Sequence, residues 1–293
     1  MTSSTHPAAN DLLNALCYPE EAISACHNPK FPDVIASAKA AAIVRKDESE
    51  AFLIWCAQTI DSIQRGFISA FGSLKTGSFY EAWCQFERCE IDILSLSRHY
   101  PQTEDDPHRI AYIERMVLRW QAQYPYKVFF SPELLKKRVE CSICGARVSP
   151  RSNCGHEKSN IYFGEMCYHK VTEVDLLSIS IVQDPVQKYS VAFLSTDSDG
   201  ERVDHYNYGN LKFLVDRLDS AFHGWESYLT TRTMTASELA HLSPTQPCPC
   251  LSGKNFGECC MGKSEMNVPH LQFQLYVHPS KNLPANEFLL GDA

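Results

Sequence analysis

The chain has no apolar run long enough to cross a bilayer. Its longest, the Ala-rich stretch 36–43 and FLIWCA at 52–57, fall far short of the roughly 18 residues a span requires. The opening MTSSTHPAANDLLNALCYPEE has no basic leader, apolar core or cleavage site, so export is not expected and the cytoplasm is the expected location. Positive charge is not in surplus: 27 Lys and Arg against 35 Asp and Glu leave a net charge of −8. That excludes broad, sequence-independent coating of nucleic acid, although a local basic patch is still compatible with it. Hydrophobic residues at 44% and charged residues at 21% exclude wholesale disorder and filament compositions. No repeat of fixed period is present. The catalytic signatures HExxH, GxxxxGK[ST], GxSxG and a strand-linked GxGxxG are missing, as is a deaminase HxE followed by PCxxC.

Cysteine, by contrast, is abundant: 13 residues. With no export signal, clustered thiols read as reduced metal ligands rather than disulfides. Cys141, Cys144, Cys154 and Cys167 form one cluster, and Cys248, Cys250, Cys259 and Cys260 a second. Cys17, Cys26, Cys56, Cys84 and Cys89 are scattered through apolar-patterned sequence, where a free thiol packs as a small hydrophobe.

The chain divides by pattern into an irregular arm over 1–30 with a short helix near 9–17, an α-helical domain over 31–125, a zinc-knuckle and β domain over 126–226, a linker over 227–246, a second metal motif over 247–263, and a tail over 264–293 with one strand near 270–278. Ile60, Ile63, Phe67, Phe71 and Leu74 form one helical stripe, and Phe79, Trp83, Phe86, Ile93 and Leu94 a second. Asp106-Pro107 marks a cap and first turn for a third stripe of Ile110, Ile113, Val117 and Trp120. These aromatics read as bundle core. LLSISIVQ (176–183) and YSVAFLS (189–195) predict a hairpin across Asp184-Pro185. A Ser-Asp-Gly turn at 198–200 and a third strand near 202–208 follow, and helical spacing returns over 210–225. The fold class expected is α+β: a helical N-terminal region, a central zinc knuckle with a β-hairpin, and a C-terminal zinc finger.

The first cluster, CSICGARVSPRSNCGHEKSNIYFGEMCYH, offers six ligands for four positions. Cys141 and Cys144 in the CSICG knuckle are ligands on this reading. His156 and Cys167 are the preferred completion, with Cys154 the nearest competitor and His169 the weakest. A thioredoxin-like CxxC is disfavoured because Ala146-Arg147-Val148-Ser149-Pro150 is a poor helix start. The second cluster, PCPCLSGKNFGECC, supplies four thiolates and leaves a tetrahedral zinc ion no open position. Pro247 and Pro249 stiffen the entry and Ser252-Gly253-Lys254 turns the chain.

Residues 247–263, with this CxC, the Ser-Gly-Lys, Phe256 and the terminal Cys pair, resemble the SEC-C motif, the zinc-binding tail of the SecA preprotein translocase that is also appended to otherwise unrelated bacterial proteins. Two positions depart from the family: Leu251 stands where glycine is usual, and Gly257-Glu258 replace residues that are usually basic. The first puts strain on the turn; the second weakens any phosphate-attracting surface. The stretch from Cys141 to about Phe193 is also similar to the body of some bacterial proteins that end in SEC-C. The resemblance implies zinc, a bacterial cytosolic setting and a docking role toward a chaperone or ribosome, with no catalysis at the metal. Two zinc ions are expected, both structural. The expected function is a non-catalytic adaptor, associated with a ribosome or chaperone or with a defence- or toxin-type assembly, so a protein partner is expected; an enzymatic role is left open and the oligomeric state is unassigned. The competing reading is a zinc-dependent nucleic-acid-binding or processing factor. It rests on Lys136, Lys137, Arg138, Arg147, Arg151, Lys158 and Lys170 with Tyr162, Phe163 and Tyr168 interleaved, although the same residues also read as solvated charge around a mini-core.

Overall fold

Proline, acidic caps and apolar spacing set the helices of the N-terminal half. A computed structural model describes residues 6–17, 28–101, 103, 105–193, 195–200 and 202–276. Helix α1 (Pro7–Ala15) and α2 (Phe31–Val44) each begin with a proline in the first turn, where its missing N–H costs no hydrogen bond. Helix α3 (Glu48–Lys75) starts where the Asp47 carboxylate accepts from the Glu50 amide at 3.0 Å. Helices α4 (Phe79–Leu96) and α5 (Ile110–Ala122) complete the bundle.

The stripes expected on α3 and α5 are buried throughout, and on α4 Phe79, Trp83, Phe86 and Ile93 are buried. Leu94 is the exception. The α4 stripe continues from Ile93 to Leu96, so Leu94 points to solvent. Phe86 stacks on Trp120, and Trp120 meets Trp225 edge-on, tying the bundle to the later β structure. The start of α5 also differs from expectation. Arg109, at φ +57, precedes the helix, and the buried Asp106 carboxylate reaches over it to accept from the Ile110 amide at 3.0 Å. Pro107 therefore lies in the turn before the helix and not at its first position. Cys56 and Cys89 are buried, and burial pushes both thiols up to about 12, as befits packing residues. Cys26 and Glu104 lie outside the described residues.

Two long antiparallel ribbons follow. Strand β1 (Phe129–Cys141) pairs with β4 (His169–Val182), with three register shifts along the way. Between them lie the short pair β2 (Ile161–Tyr162) and β3 (Glu165–Met166). Strands β5 (Ser195–Thr196) and β6 (Arg202–Val203) flank the expected Ser198-Asp199-Gly200 turn, and α6 (Gly209–Arg217) follows. Strand β7 (Trp225–Thr235) pairs in unbroken register with β8 (Glu265–Leu275), and α7 (Phe256–Cys259) lies in their connection.

Among the described residues, the hairpin expected between 176–183 and 189–195 is not formed. Residues 176–182 pair instead with the start of β1, and Val191 bridges Phe129. The segment past Asp184-Pro185 is drawn into the helices: Trp83 Nε1 donates to the Lys188 carbonyl at 2.7 Å, and Lys188 Nζ donates to Glu90 at 2.8 Å. Likewise, the stretch 227–246, read as linker, is strand as far as Thr235, and the tail strand begins earlier than expected, at Glu265. Residues 277 and 278 of that expected strand lie outside the described residues.

The β1–β4 ribbon is anchored at both ends. At its base Phe129 packs against Trp83. At its far end Ile161 and Met166 pack on the helical core, Lys39 Nζ donates to Glu165 at 2.7 Å and to the Gly164 carbonyl at 3.0 Å, and His99 Nε2 meets the Ser159 carbonyl at 2.7 Å. A 13-residue strand and a 28-residue helix such as α3 have the same length, about 42 Å, so one ribbon can touch the bundle at opposite ends.

Candidate metal centres

Each ribbon ends in a cysteine cluster. Cys141 is the last residue of β1, and Cys167 lies two residues before β4. Their Sγ atoms are 3.8 Å apart, the edge of a tetrahedron built on metal–sulfur bonds of about 2.3 Å. In the connection, ligand atoms of Cys141, Cys144, Cys154 and His156 all lie within 4.8 Å of one another. Five of the six sequence candidates therefore converge, Cys154 among the mutually close set and Cys167 beside Cys141. His169 is exposed on β4 and outside that set.

The knuckle is shaped by backbone geometry. Gly145, at φ +71, donates its amide to the Cys141 carbonyl at 2.9 Å, and the Cys141 amide donates to the Ala146 carbonyl at 2.9 Å. Burial opposes a thiolate at Cys141, but the amides of Cys144 and Ile143 aimed at its sulfur hold it down at about 6. Burial and then the neighbouring Cys141 push Cys167 up to about 11. One anion thus forms readily and makes the next costly, a conflict that a divalent cation removes. His156 Nδ1 is buried without a hydrogen-bond partner while its ring packs edge-on against Tyr162, which suits an imidazole that carries a metal. The donor set fits zinc.

The second cluster sits between β7 and β8. All four sulfurs, of Cys248, Cys250, Cys259 and Cys260, lie within 4.8 Å of one another, with neighbouring pairs at 3.3, 3.5 and 3.6 Å. These spacings are far from a disulfide bond of about 2.05 Å and close to the edge of a thiolate tetrahedron. The Cys248 amide donates to the Lys254 carbonyl at 2.8 Å, closing the turn, and α7 delivers Cys259 and Cys260. The Ser252 hydroxyl and then the Cys248 thiol hold Cys250 down at about 6, while burial pushes Cys248 up to about 12. Met234, Leu239, Phe256, Met266 and Val268 form a small core around the sulfurs, separate from the helical one. Leu251, at φ +58, occupies the left-handed conformation for which glycine is suited. Gly257 packs on Pro244 so closely that an added Cβ would lie 3.0 Å from its carbonyl oxygen.

Sequence reasoning passed over one constellation. Cys17 Sγ lies 3.9 Å from His108 Nε2, and His108 Nδ1 lies 3.2 Å from Asp106. Burial and then Asp106 raise the Cys17 thiol, and His108 Nε2 is 3.0 Å from the Leu13 carbonyl. A protonated sulfur beside an engaged imidazole is a packing network, not an activated nucleophile. The basic run is partly neutralised: Lys137 pairs with Asp175 at 2.6 Å, and Arg138 with Glu140 at 2.6 Å.

The SEC-C motif model matches residues 245–262. The chain thus carries a SEC-C motif and two cysteine-rich groups compatible with zinc binding. No curated protein and no solved structure matches the chain. No helix among the described residues is long and apolar enough to cross a membrane.

Proposed function

We propose that the protein is a non-catalytic zinc adaptor, in which one zinc ion closes each ribbon and the SEC-C unit is held out as a docking element for a protein partner. The observation that carries this reading is the second cluster: four sulfurs gathered around one point, with no position left for a water to be polarised. At the first centre, Cys141, Cys144, Cys154 and His156 are the proposed ligands, with Cys167 able to replace one of them. Both ions are structural, because segments with so small a core take their folding free energy from the metal. The competing nucleic-acid reading is weakened by the Lys137–Asp175 and Arg138–Glu140 pairs, which offset charge that phosphates would need.

Affinity capture from native lysate with the zinc-loaded chain, set against Cys259→Ser/Cys260→Ser, tests the adaptor reading. Loss of one specific partner in the variant is the expected result, and an unchanged profile would reduce the SEC-C unit to a structural clip. RNA or DNA binding that falls with salt and is abolished by charge reversal at Lys136, Lys137 and Arg138 would favour the competitor. Metal analysis under reducing conditions should give two equivalents per chain, and fewer than one would remove the basis of both readings.

A further inference from the structure

The β1–β4 ribbon gathers apolar side chains on one face and leaves that face in water. Phe129 points inward at the base and is buried, so by the alternation of a strand Phe130 points outward. From there the outward face carries the cross-strand pairs Phe130–Ile181, Pro132–Ile179, Leu134–Leu176 and Lys136–Val174. The other face carries Ser131–Ser180 and Glu133–Ser178. Ile181 is 72% exposed, Ile179 61% and Leu176 58%. Water, not protein, covers the apolar face.

We infer that this face is a homodimer interface, in which the ribbons of two copies pack face to face as a two-layer β-sandwich. Three observations select a second copy. The first is area: at their exposed fractions the residues of the stripe present roughly 650 Å², a little above the roughly 300–600 Å² of an ordinary monomer's largest patch. That area reaches the lower end of one partner's share of a standard interface, about 600–1,000 Å². The second is charge. Lys136 lies at the end of the stripe toward the metal centre, and the exposed Asp184 follows its other end, so a two-fold axis across the middle brings the lysine end of one stripe to the aspartate end of the other. The third is the edge: Pro132 in β1 lacks an amide to donate, and Lys136, Lys137 and Arg138 line the same strand, which disfavours adding a strand edge-on and leaves the face as the contact. The interface is independent of whatever the SEC-C unit docks.

Sedimentation velocity on the zinc-loaded full chain at about 50 μM, well above the nanomolar-to-micromolar constants of interfaces this size, is the test. The expected mass is twice 33.1 kDa. Ile179→Asp/Ile181→Asp should sediment as a monomer with unchanged metal content and circular dichroism, because within a single chain both side chains face water. Lys136→Glu should weaken the dimer at least tenfold, and adding Asp184→Lys to the same chain should restore it. A wild-type monomer at that concentration overturns the inference, as does a dimer that survives the double aspartate variant or a charge swap that fails to rescue.

Discussion

Replacing Leu251 by glycine should tighten the SEC-C centre. At φ +58 the Leu251 Cβ crowds its own carbonyl, which costs an L-residue roughly 1–2 kcal/mol. Its side chain is exposed, so removing it gives up little buried area. Glycine is freer in the unfolded chain, and that offsets about 0.5–1 kcal/mol of the relief. The net gain is about 0.5–1 kcal/mol. Because the turn between Cys250 and Cys259 forms only when the sulfurs are gathered, this gain should show in metal affinity, as a roughly two- to fivefold improvement. The assay is competition for zinc against a chromophoric chelator, with Leu251→Ala as the control. Alanine keeps the Cβ and the left-handed conformation, so it should bind no tighter than wild type. Equal behaviour of glycine and alanine, or weaker binding by the glycine variant, would show that the turn carries no such strain.

Gly257→Ala should act in the opposite direction, loosening the same centre by about 1–3 kcal/mol in the chelator assay, because its new methyl group meets the Pro244 carbonyl. Phe67, fully buried between Phe86 and Phe222, should cost about 3–5 kcal/mol in urea unfolding when cut to alanine. Burial raises Asp106, but the His108 imidazole and the amides of Ile110 and His108 outweigh it and leave its carboxyl below the usual range. Its contribution is therefore present above the unfolded value near 3.9 and lost as pH falls through the lower folded value, and Asp106→Asn should flatten that part of the curve of melting temperature against pH. Chelation should accelerate hydrogen exchange at residues 130–140 and 170–181 while leaving the interior of α3 protected. Uniform loss of protection would mean that helices and ribbons unfold as one unit.

The helical half was legible because burial there follows a period that one strand of sequence displays by itself. Ile60, Ile63, Phe67, Phe71 and Leu74 lie on one face, and that face is the core. The ribbons were not, for two reasons. β1 alternates only over Phe130–Leu134 before Leu-Lys-Lys-Arg breaks the pattern, and neither face is buried within the chain, so its period-two signal is short. Its partner lies beyond a connection of Cys, His, Ser and Gly that no local signal spans, so local pattern pairs 176–183 with the nearest apolar run, 189–195, across an Asp-Pro. The cysteines themselves were readable from spacing alone. Their place at the two ribbon ends was not, because it depends on pairing across 129–182 and 225–275.

That placement explains why the protein concentrates sulfur where it does. A two-stranded ribbon is marginal in water, since each strand has a free edge and no second layer. A connection as long as 142–168 or 236–264 adds a loop-closure cost that grows with the logarithm of its length. Gathering sulfurs at the ribbon's end divides that connection into short closed loops and draws the last strand pairs, Cys141–His169 and Thr235–Glu265, together. The second cluster even brings its own apolar shell, Met234 and Met266 from the paired strands packing beneath Phe256. The helical core has no such need: Phe67, Phe86 and Trp120 bury enough area to hold α3, α4 and α5 without help. Metal dependence should therefore divide the molecule along the line between bundle and ribbon, with the apolar face of the first ribbon formed only when its end is closed.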